Sequence, residues 1–360
     1  MSGRICSLCH GLGEDVIIKC RDCNGTGYDT SEWDYKPFAQ CHTCYGDGEE
    51  EVDICPDCGG CEVFCYEEEI EDMDYDEEEE MEDIDYKEDF EEQLKLFVET
   101  LEEYITTEDG QWAIKGFIDT YQNIYTISND TKIVSKILEI HLFPKILEFA
   151  NTYDYKVVLA EHQNYYPDVS LVKIDDENIK FAIDFKTTYR NPKKPFLCNG
   201  FTLGSHGTYF EDRTSSKNIQ FPYGEYLAHF CLGIIYDRNE NATIDETKTY
   251  NINQLNSIES VVNNFKFFAV EKWKIASDKG GSGNTANIGS INNIEDISNG
   301  YGIFSKLGEE WFDDYWMNFN KIIISDKEGN TKKINTLIDF VEYRNGDTSL
   351  IVPKNNKSQK

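Results

Sequence analysis

Two aspartates and a lysine in the central third of the chain have the types and spacing of a metal-dependent hydrolytic site. Asp168 follows a proline, and fifteen residues separate it from Asp184, with Lys186 two positions further on. If these residues lie on β-strands, the spacing of two places Asp184 and Lys186 on one face of a sheet. Converging carboxylates suit Mg²⁺, and an adjacent lysine can orient or help to deprotonate water, or stabilise charge on a phosphate. Taken alone, the same residues would also fit a turn aspartate and a cross-strand ion pair.

The segments around these residues predict a mixed α/β domain. Helical spacing of apolar residues covers the run Phe90, Leu94, Phe97, Leu101 and Ile105, then 133–150 with a bend or break near Pro144, and also fits 223–236. Alternating or β-branched runs predict strands at 155–161, 168–174 and 179–185, and a long strand or a strand pair at 265–276.

The Pro167-Asp168…Asp184-Phe185-Lys186 pattern is that of PD-(D/E)xK nucleases, and its surroundings resemble the EcoRV family of type II restriction endonucleases. Similar segments follow in the same order from about residue 98 to 320, and include SNDTKIVSKILE, HQNYYPDVSLVKI, FAIDFKTTYRN, KNIQFPYGEYLAH, EKWKIASD and GSGNTANIGS. The resemblance implies a restriction-endonuclease-like mixed sheet for residues 93–350. It also implies a homodimeric, Mg²⁺-dependent endonuclease that cuts double-stranded DNA at a palindromic site similar to GATATC.

The resemblance further implies roles for individual residues. Asp168 and Asp184 correspond to the metal-binding carboxylates, Lys186 to the catalytic lysine and Glu139 to an auxiliary acidic residue. The implied DNA contacts are a major-groove loop with Gly281, Gly283, Asn284 and Thr285, a minor-groove loop with Gln163 and Asn164, and the phosphate-contacting or supporting positions Thr131, Lys132, Thr188 and Lys217. An asparagine amide can pair bidentately with adenine, and a threonine methyl can contact a thymine methyl.

The chain departs from the family pattern at three places near these positions. Ala286 replaces a threonine at the end of the major-groove loop, and Tyr165 replaces a histidine before Tyr-Pro-Asp. The segment between Phe201 and Lys217 is about two residues longer. These differences make the preference for GATATC less certain than the reaction type.

Ten of the twelve cysteines lie within residues 6–65, in four CxxC pairs and two extra positions. No apolar run suited to a secretory signal precedes them, so they predict metal thiolates in a reducing compartment rather than disulfides. Two CxxC turns complete one tetrahedral zinc site. The repeats CSLCHGLG, CRDCNGTG and CHTCYGDG resemble the DnaJ-type cysteine-rich domain, although the fourth repeat has Glu62 in place of its second glycine. This resemblance implies a zinc-stabilised β-hairpin module at 1–65 with two Zn²⁺ sites, one formed by Cys6, Cys9, Cys55 and Cys58 and the other by Cys20, Cys23, Cys41 and Cys44.

The negative charge of the chain is concentrated between the cysteine-rich segment and the predicted α/β domain. The formal net charge is −34, of which residues 66–93 carry −17 and residues 94–360 only −8, so the acidity of the whole chain does not exclude DNA binding. The composition of residues 66–92 predicts a disordered acidic linker. Residues 351–360 are predicted to form a frayed tail. No segment approaches about 18 uninterrupted apolar residues, so the sequence predicts no membrane helix and an intracellular, cytoplasmic protein.

Two other functions remain compatible with the sequence. The cysteine module could belong to a non-catalytic co-chaperone or adaptor that binds a protein partner, although the chain has no J-domain His-Pro-Asp tripeptide. A repair or recombination nuclease would keep the catalytic residues without the palindromic site.

Overall fold

The computed structural model describes residues 14–20, 44, 49–54, 85–162, 165–240, 245, 247–281, 286–325 and 331–353. The chain divides into two compact units, Met1–Met81 and Glu82–Lys360. The helices of the described residues are α1 (Tyr86–Glu99), α2 (Leu101–Ile105), α3 (Thr131–Thr152), α4 (Lys272–Ile275), α5 (Ile294–Ser298), α6 (Glu309–Met317) and α7 (Leu337–Tyr343). The strands are β1 (Glu14–Lys19), β2 (Glu49–Ile54), β3 (Gly116–Ile118), β4 (Asn123–Thr126), β5 (Tyr155–Leu159), β6 (Val169–Lys173), β7 (Lys180–Asn191), β8 (Lys194–Cys198), β9 (Thr202–Ser205), β10 (Ala228–Arg238), β11 (Thr249–Asn251), β12 (Val262–Glu271), β13 (Ala276–Gly280), β14 (Asn287–Ser290), β15 (Ile323–Ser325) and β16 (Thr331–Lys333).

The first unit contains an antiparallel ribbon of β1 and β2, in which Val16 pairs with Val52. Cys20 follows β1 directly, and its buried side chain packs against that of Cys44. The other predicted zinc ligands lie outside the described residues.

The second unit is built around a mixed sheet in the order β12-β10-β7-β6-β5, with β8 paired to β7. β10 and β7 are parallel, whereas β6 is antiparallel to both β7 and β5. One apolar core, which includes Ile183 and Phe185 of β7, packs between the sheet and α1, α2 and α3. A second core, which includes Ala182 of β7, joins the opposite face to the C-terminal helices. The prediction of a mixed α/β domain is confirmed.

Helix α1 begins inside the segment that the sequence assigns to the acidic linker. The Asp85 side chain caps it by accepting hydrogen bonds from the backbone N–H groups of Lys87 and Glu88, at 3.0 and 3.1 Å. Phe90 is fully buried and stacks on Phe181 with ring centroids 3.9 Å apart. Residues 86–92 are therefore helical, and the boundary predicted at 92/93 lies within α1; residues 66–84 lie outside the described residues.

Helix α3 is continuous, although a bend or break was predicted near Pro144. Asp130 caps its first turn, and the helix continues through Pro144 to Thr152. Because a proline has no backbone N–H, the carbonyl of Ile140 has no helical hydrogen bond from position 144. Both Ile140 and Pro144 are exposed. Water can satisfy that carbonyl, which explains why the helix tolerates the proline.

The helix predicted at 223–236 is wrong, because residues 228–238 form the central strand β10. Its first nine residues are all buried, since strands cover both of its edges and apolar cores cover both faces. A strand buried on both faces loses its polar–apolar alternation, so its apolar run resembles a buried helix. Gly233 leaves space for the Phe268 ring of β12, because a Cβ atom there would overlap that ring.

The segment 265–276, predicted as a long strand or a strand pair, contains two strands separated by a helical turn. β12 ends at Glu271, α4 follows, and β13 begins at Ala276. β13 pairs with β14, which pairs with β9 in a separate sheet of three strands. β11, β4 and β3 form another small sheet, and β15 pairs with β16. Within the described part of the chain, no helix combines the length and the apolar character needed to cross a bilayer.

Candidate active site

The pairing of β6 with β7 brings Asp168 beside Asp184. Val169 pairs with Ile183 in the antiparallel register, and continuing this register by one residue sets Asp168 opposite Asp184. Ile183 and Phe185 face the core below α1 and α3, so strand alternation turns Asp184 to the other face. The two carboxyl groups are close enough to hydrogen bond with each other. The structure therefore brings together the two aspartates singled out in the sequence.

Lys186 lies on the same face of β7 as Asp184, two residues further along. Its Nζ atom forms an ion pair with Asp184 Oδ2 at 2.7 Å. Burial alone lowers the pKa of Lys186, but the attraction of Asp184 and Asp168 outweighs burial, and the net pKa is raised. In this arrangement Lys186 carries its proton at neutral pH.

Asp168 is held by the backbone of the neighbouring strand and retains an exposed side. The Phe185 N–H donates a hydrogen bond to Asp168 Oδ2 at 2.7 Å. Withdrawal of the carboxyl from bulk water and, next, the charge of Asp184 raise the pKa of Asp168 above its ordinary value of 3.8. When both carboxyl groups are ionised they outnumber the one ammonium group, and a divalent cation would neutralise the excess negative charge. The donor set thus fits Mg²⁺, which prefers one or two carboxylates and keeps several waters.

Glu139 lies in the same cleft as Asp168, but its carboxylate is paired with a lysine. The cleft is a cavity of about 290 Å³ lined by Lys136, Glu139, Ile140, Phe143, Leu159, Ala160, His162, Tyr165, Asp168, Val169 and Phe185. Lys136 Nζ lies 2.6 Å from Glu139 Oε2, one helical turn away on α3. Among the described residues, no three acidic, histidine or cysteine side chains converge as a metal site. Glu139 therefore does not join Asp168 and Asp184 in a three-carboxylate cluster.

Lys136 is a residue of this cleft that the sequence analysis did not single out. Its spacing of three from Glu139 is the one signal that could have identified it, since residues three apart on a helix are neighbours. The hydroxyl groups of Ser135 and Thr187 are hydrogen-bonded, and this contact fixes α3 against β7 beside the cleft.

The four predicted phosphate-contacting or supporting positions occupy different environments. Lys132 is exposed in the first turn of α3, and Lys217 is exposed in the segment before Ile219. The Thr131 hydroxyl instead accepts a hydrogen bond from Arg238. Thr188 is buried, and its hydroxyl donates to the carbonyl of Asn199. The two lysines are thus open to a phosphate, whereas the two threonines support neighbouring segments.

The predicted major-groove loop connects β13 to β14. Gly280 pairs with Ile288, and the Gly281 N–H donates to the Asn287 carbonyl at 2.7 Å, so the two arms of the loop are held together. Gly283, Asn284 and Thr285 lie outside the described residues, as do Gln163 and Asn164 of the predicted minor-groove loop.

Comparison with known proteins identifies the second unit. Residues 108–345 match the family model for restriction endonuclease EcoRV. The chain is 38% identical over 241 residues to the type II restriction enzyme EcoRV of Escherichia coli, an alignment that covers 66% of this chain and 92% of that enzyme. The matched residues include Glu139, Asp168, Asp184 and Lys186, and they extend past the limit near 320 inferred from the sequence. The chain therefore belongs to the EcoRV family of type II restriction endonucleases.

Proposed function

We propose that this chain is a Mg²⁺-dependent endonuclease that hydrolyses both strands of DNA at a palindromic site related to GATATC. The observation that carries the proposal is the contact of Asp168 with Asp184, and of Asp184 with Lys186, at one end of the β6–β7 pair. Family membership supports cleavage of DNA, and the carboxylate pair supports the choice of metal.

In this proposal Asp168 and Asp184 hold the metal beside the scissile phosphate. Bound Mg²⁺ would supply charge neutralisation and a more acidic water. The Phe185 N–H fixes the orientation of Asp168, and Asp184 fixes the ammonium group of Lys186. Its ammonium group lies 2.7 Å from Asp184 Oδ2 and can donate a hydrogen bond to the attacking water or to the phosphate. We assign Lys186 an electrostatic role on this basis.

Glu139 serves in this proposal as an auxiliary acid that does not bind the metal together with Asp168 and Asp184. Lys136 already neutralises it, with the two charged groups 2.6 Å apart. Both side chains line the cleft with Asp168, so their charges act on DNA that enters it.

A homodimer would place one such site on each strand of a two-fold symmetric sequence. A group of exposed apolar and aromatic side chains supports self-association, since patches of this kind commonly mark protein interfaces. It lies on the β3–β4 hairpin, where the side chains are 54%, 58%, 84% and 47% exposed at Phe117, Ile118, Tyr121 and Tyr125 respectively. We propose this hairpin as the contact with the second copy.

Sequence recognition is assigned to the two loops that the resemblance indicates. Gly281, Gly283, Asn284 and Thr285 would read base edges in the major groove, and Gln163 and Asn164 would approach the minor groove. The paired arms of the β13–β14 hairpin support the first assignment, since they present this loop as a unit. Lys132 and Lys217 would contact phosphates, with Thr131 and Thr188 supporting them.

We also propose that residues 1–65 form a structural module with two Zn²⁺ ions. The predicted inner site joins the second and third CxxC pairs, and the packing of Cys20 against Cys44 supports that combination. Cys23 and Cys41 would complete it, and Cys6, Cys9, Cys55 and Cys58 would form the outer site. The module would then offer a surface for a protein partner.

Incubation of the chain with Mg²⁺ and plasmid DNA tests the proposed function. Discrete linear fragments support the site-specific endonuclease, nicking at branched or damaged DNA indicates a repair nuclease, and absence of cleavage contradicts the proposal. Asp184→Ala should remove cleavage by several orders of magnitude while the protein remains folded. Glu177→Ala is the matched control, because Glu177 is an exposed carboxylate on the turn between β6 and β7.

A further inference from the structure

Lys272, the first residue of α4, is a buried lysine that lies close enough to Asp184 to interact with its charge but has no role in the proposed chemistry. Its residue is 2% exposed, and its Nζ atom has no hydrogen-bond acceptor among the residues that the structure describes. The neighbouring Glu271 is equally buried but accepts from Lys87 at 2.6 Å and Lys274 at 2.9 Å. A buried charge without a hydrogen-bonding partner destabilises a fold, so its presence beside a fully paired carboxylate calls for a specific reason.

The ammonium group of Lys272 faces aromatic rings. It lies 4.7 Å from the ring centroid of Tyr166, 4.9 Å from that of Tyr223 and 5.8 Å from that of Phe210. Tyr166 is held in place from another side, because its hydroxyl lies 3.0 Å from Nδ1 of the buried His229. Attraction between a cation and an aromatic ring is strongest where water is excluded, as it is here. Through these contacts Lys272 acts on Tyr166, in addition to its direct electrostatic attraction to Asp184.

Tyr166 connects directly to the proposed metal ligand and to a proposed phosphate contact. It precedes Asp168 by two residues. Its backbone N–H donates to the Asn218 carbonyl at 3.1 Å, and its carbonyl accepts from the Gln220 N–H at 2.8 Å. The segment that begins at Lys217 is therefore paired with the segment that carries Asp168, and the position of the Tyr166 ring influences both.

On its other side, Lys272 connects to the DNA-reading hairpin. α4 spans only Lys272–Ile275 and leads without a break into β13, whose far end carries the predicted major-groove loop. Ile275 is fully buried, so the helical turn and the start of β13 are packed firmly together. A displacement of the β13–β14 hairpin would consequently move the ammonium group relative to the Tyr166 ring.

We propose that Lys272 is a positioning residue that couples the DNA-reading hairpin to Asp168 through the ring of Tyr166. The proposal rests on the proposed function, in which Asp168 holds the catalytic metal. When the hairpin engages its preferred sequence, the cation–ring contact holds Tyr166, and with it Asp168, in the geometry stabilised by the Phe185 N–H. The charge is retained in the core for this coupling, at a cost to stability.

The effects of one substitution on stability and on activity distinguish this positioning role from a structural role, because the two effects should have opposite signs. Lys272→Met keeps the length and apolar volume of the side chain but removes the charge, and the partners of Glu271 remain in place. Replacing a buried charge by an apolar side chain is commonly neutral or stabilising. We therefore expect an unchanged or higher unfolding midpoint together with slower cleavage.

The test compares the parent, Lys272→Met, Tyr166→Leu and the double variant on the preferred site and on sites with one altered base pair. With saturating DNA and Mg²⁺, each single variant should cut the preferred site about tenfold more slowly and lose a similar factor of discrimination, as expected for loss of a buried cation–ring contact. The double variant should be no slower than the worse single variant, because the two residues act in one pathway. Lys180→Met is the matched control: its side chain is 12% exposed and its ammonium group lies 5.4 Å from the Phe221 ring centroid, outside the α4 link, so discrimination should not change.

Several results would overturn the inference. Cleavage and discrimination by Lys272→Met within about twofold of the parent would show that the charge has no role in the reaction. Independent, multiplicative effects in the double variant would show that Lys272 does not act through Tyr166. If Lys272→Met failed to fold, Lys272→Gln would replace it, and failure of both neutral variants would establish a purely structural role. A parent protein inactive with Mg²⁺ would instead overturn the proposed function, and the inference with it.

Discussion

The carboxylate pair should make the metal-free active site a source of instability, and Asp168→Asn tests this. In the parent, the Phe185 N–H donates a hydrogen bond to Asp168 Oδ2 at 2.7 Å, and the asparagine amide oxygen can accept the same hydrogen bond. Asp184 keeps its ion pair with Lys186. The substitution removes the cost of keeping a charged carboxyl away from bulk water, which is the largest cause of the raised pKa of Asp168, together with its repulsion from Asp184. Because Asp168 has an exposed side, solvent screens this repulsion, and we expect a gain of about 1 kcal/mol in the free energy of unfolding.

The sign of the effect should depend on pH. The folded parent binds the Asp168 proton more tightly than the unfolded chain does, so its stability is highest below the ordinary pKa of 3.8 and falls as the pH rises through the raised pKa. Asparagine does not titrate. The advantage of Asp168→Asn should therefore be absent at low pH and grow across this window.

Thermal unfolding with and without Mg²⁺ measures both halves of this prediction. A gain of 1 kcal/mol corresponds to a rise of about 2 °C in the midpoint of a domain of this size. Added Mg²⁺ should raise the midpoint of the parent and leave that of Asp168→Asn unchanged, since only the parent binds the ion in the folded state. Cleavage should fall by about a thousandfold or more, because a bound metal contributes several kcal/mol to the transition state. A variant that is less stable than the parent at neutral pH, or that still cuts DNA efficiently, would refute this reasoning.

Four further predictions concern recognition, zinc, the core and the acidic segment. Asn284→Ala should lose about 1–3 kcal/mol of discrimination at one adenine per half-site, whereas Lys217→Ala should weaken binding to all sequences and reduce its salt dependence; equal effects of both on relative site preference would contradict the assignment. Metal analysis should find two Zn²⁺ per chain, and a strong chelator should unfold residues 1–65 while leaving the nuclease unit intact. If residues 1–65 remained folded without bound zinc, the proposed zinc module would be contradicted. Phe90→Ala should destabilise the nuclease unit by about 3–5 kcal/mol in chemical denaturation, because the ring is fully buried, and an effect below about 1 kcal/mol would show that α1 is not part of the core. Deletion of 67–84, which spares α1, should raise non-specific DNA affinity most at low salt, and equal affinities at low salt would leave this segment as a spacer only.

Local patterns in the sequence were sufficient for several features that lie within one strand or one helical run, although they did not single out Lys136 beside Glu139. The spacing of Asp184 and Lys186 put both on one face of β7, because successive side chains of any strand alternate. The run Phe90, Leu94, Phe97, Leu101 and Ile105 likewise described an apolar helical face, which the structure divides between α1 and α2 and in which Phe97 is only partly buried. The family resemblance, carried by ordered motifs, was confirmed over residues 108–345.

Local composition was misleading where distant contacts outweigh it. The abundance of carboxylates at 66–92 placed the end of the linker at residue 92, although the apolar helical run begins at Phe90. The stacking of Phe90 on Phe181, more than ninety positions away, orders the start of α1. Residues 228–236 were predicted as a helix because their burial on both faces depends on strands and cores that the local sequence does not reveal.

The sequence by itself identified the chemical groups of the candidate site: two carboxylates and an ammonium group, with Asp184 and Lys186 on one strand face, in a chain of recognisable family. Only the tertiary structure decided that Asp168 lies opposite Asp184, that Glu139 shares a cleft with Asp168 and that Lys272 is buried against Tyr166. The first set follows from the geometry of one strand, which is the same in every protein. The second set depends on the register between strands and on the packing of remote segments. The spacing of residues within one segment does not determine which distant residues it contacts.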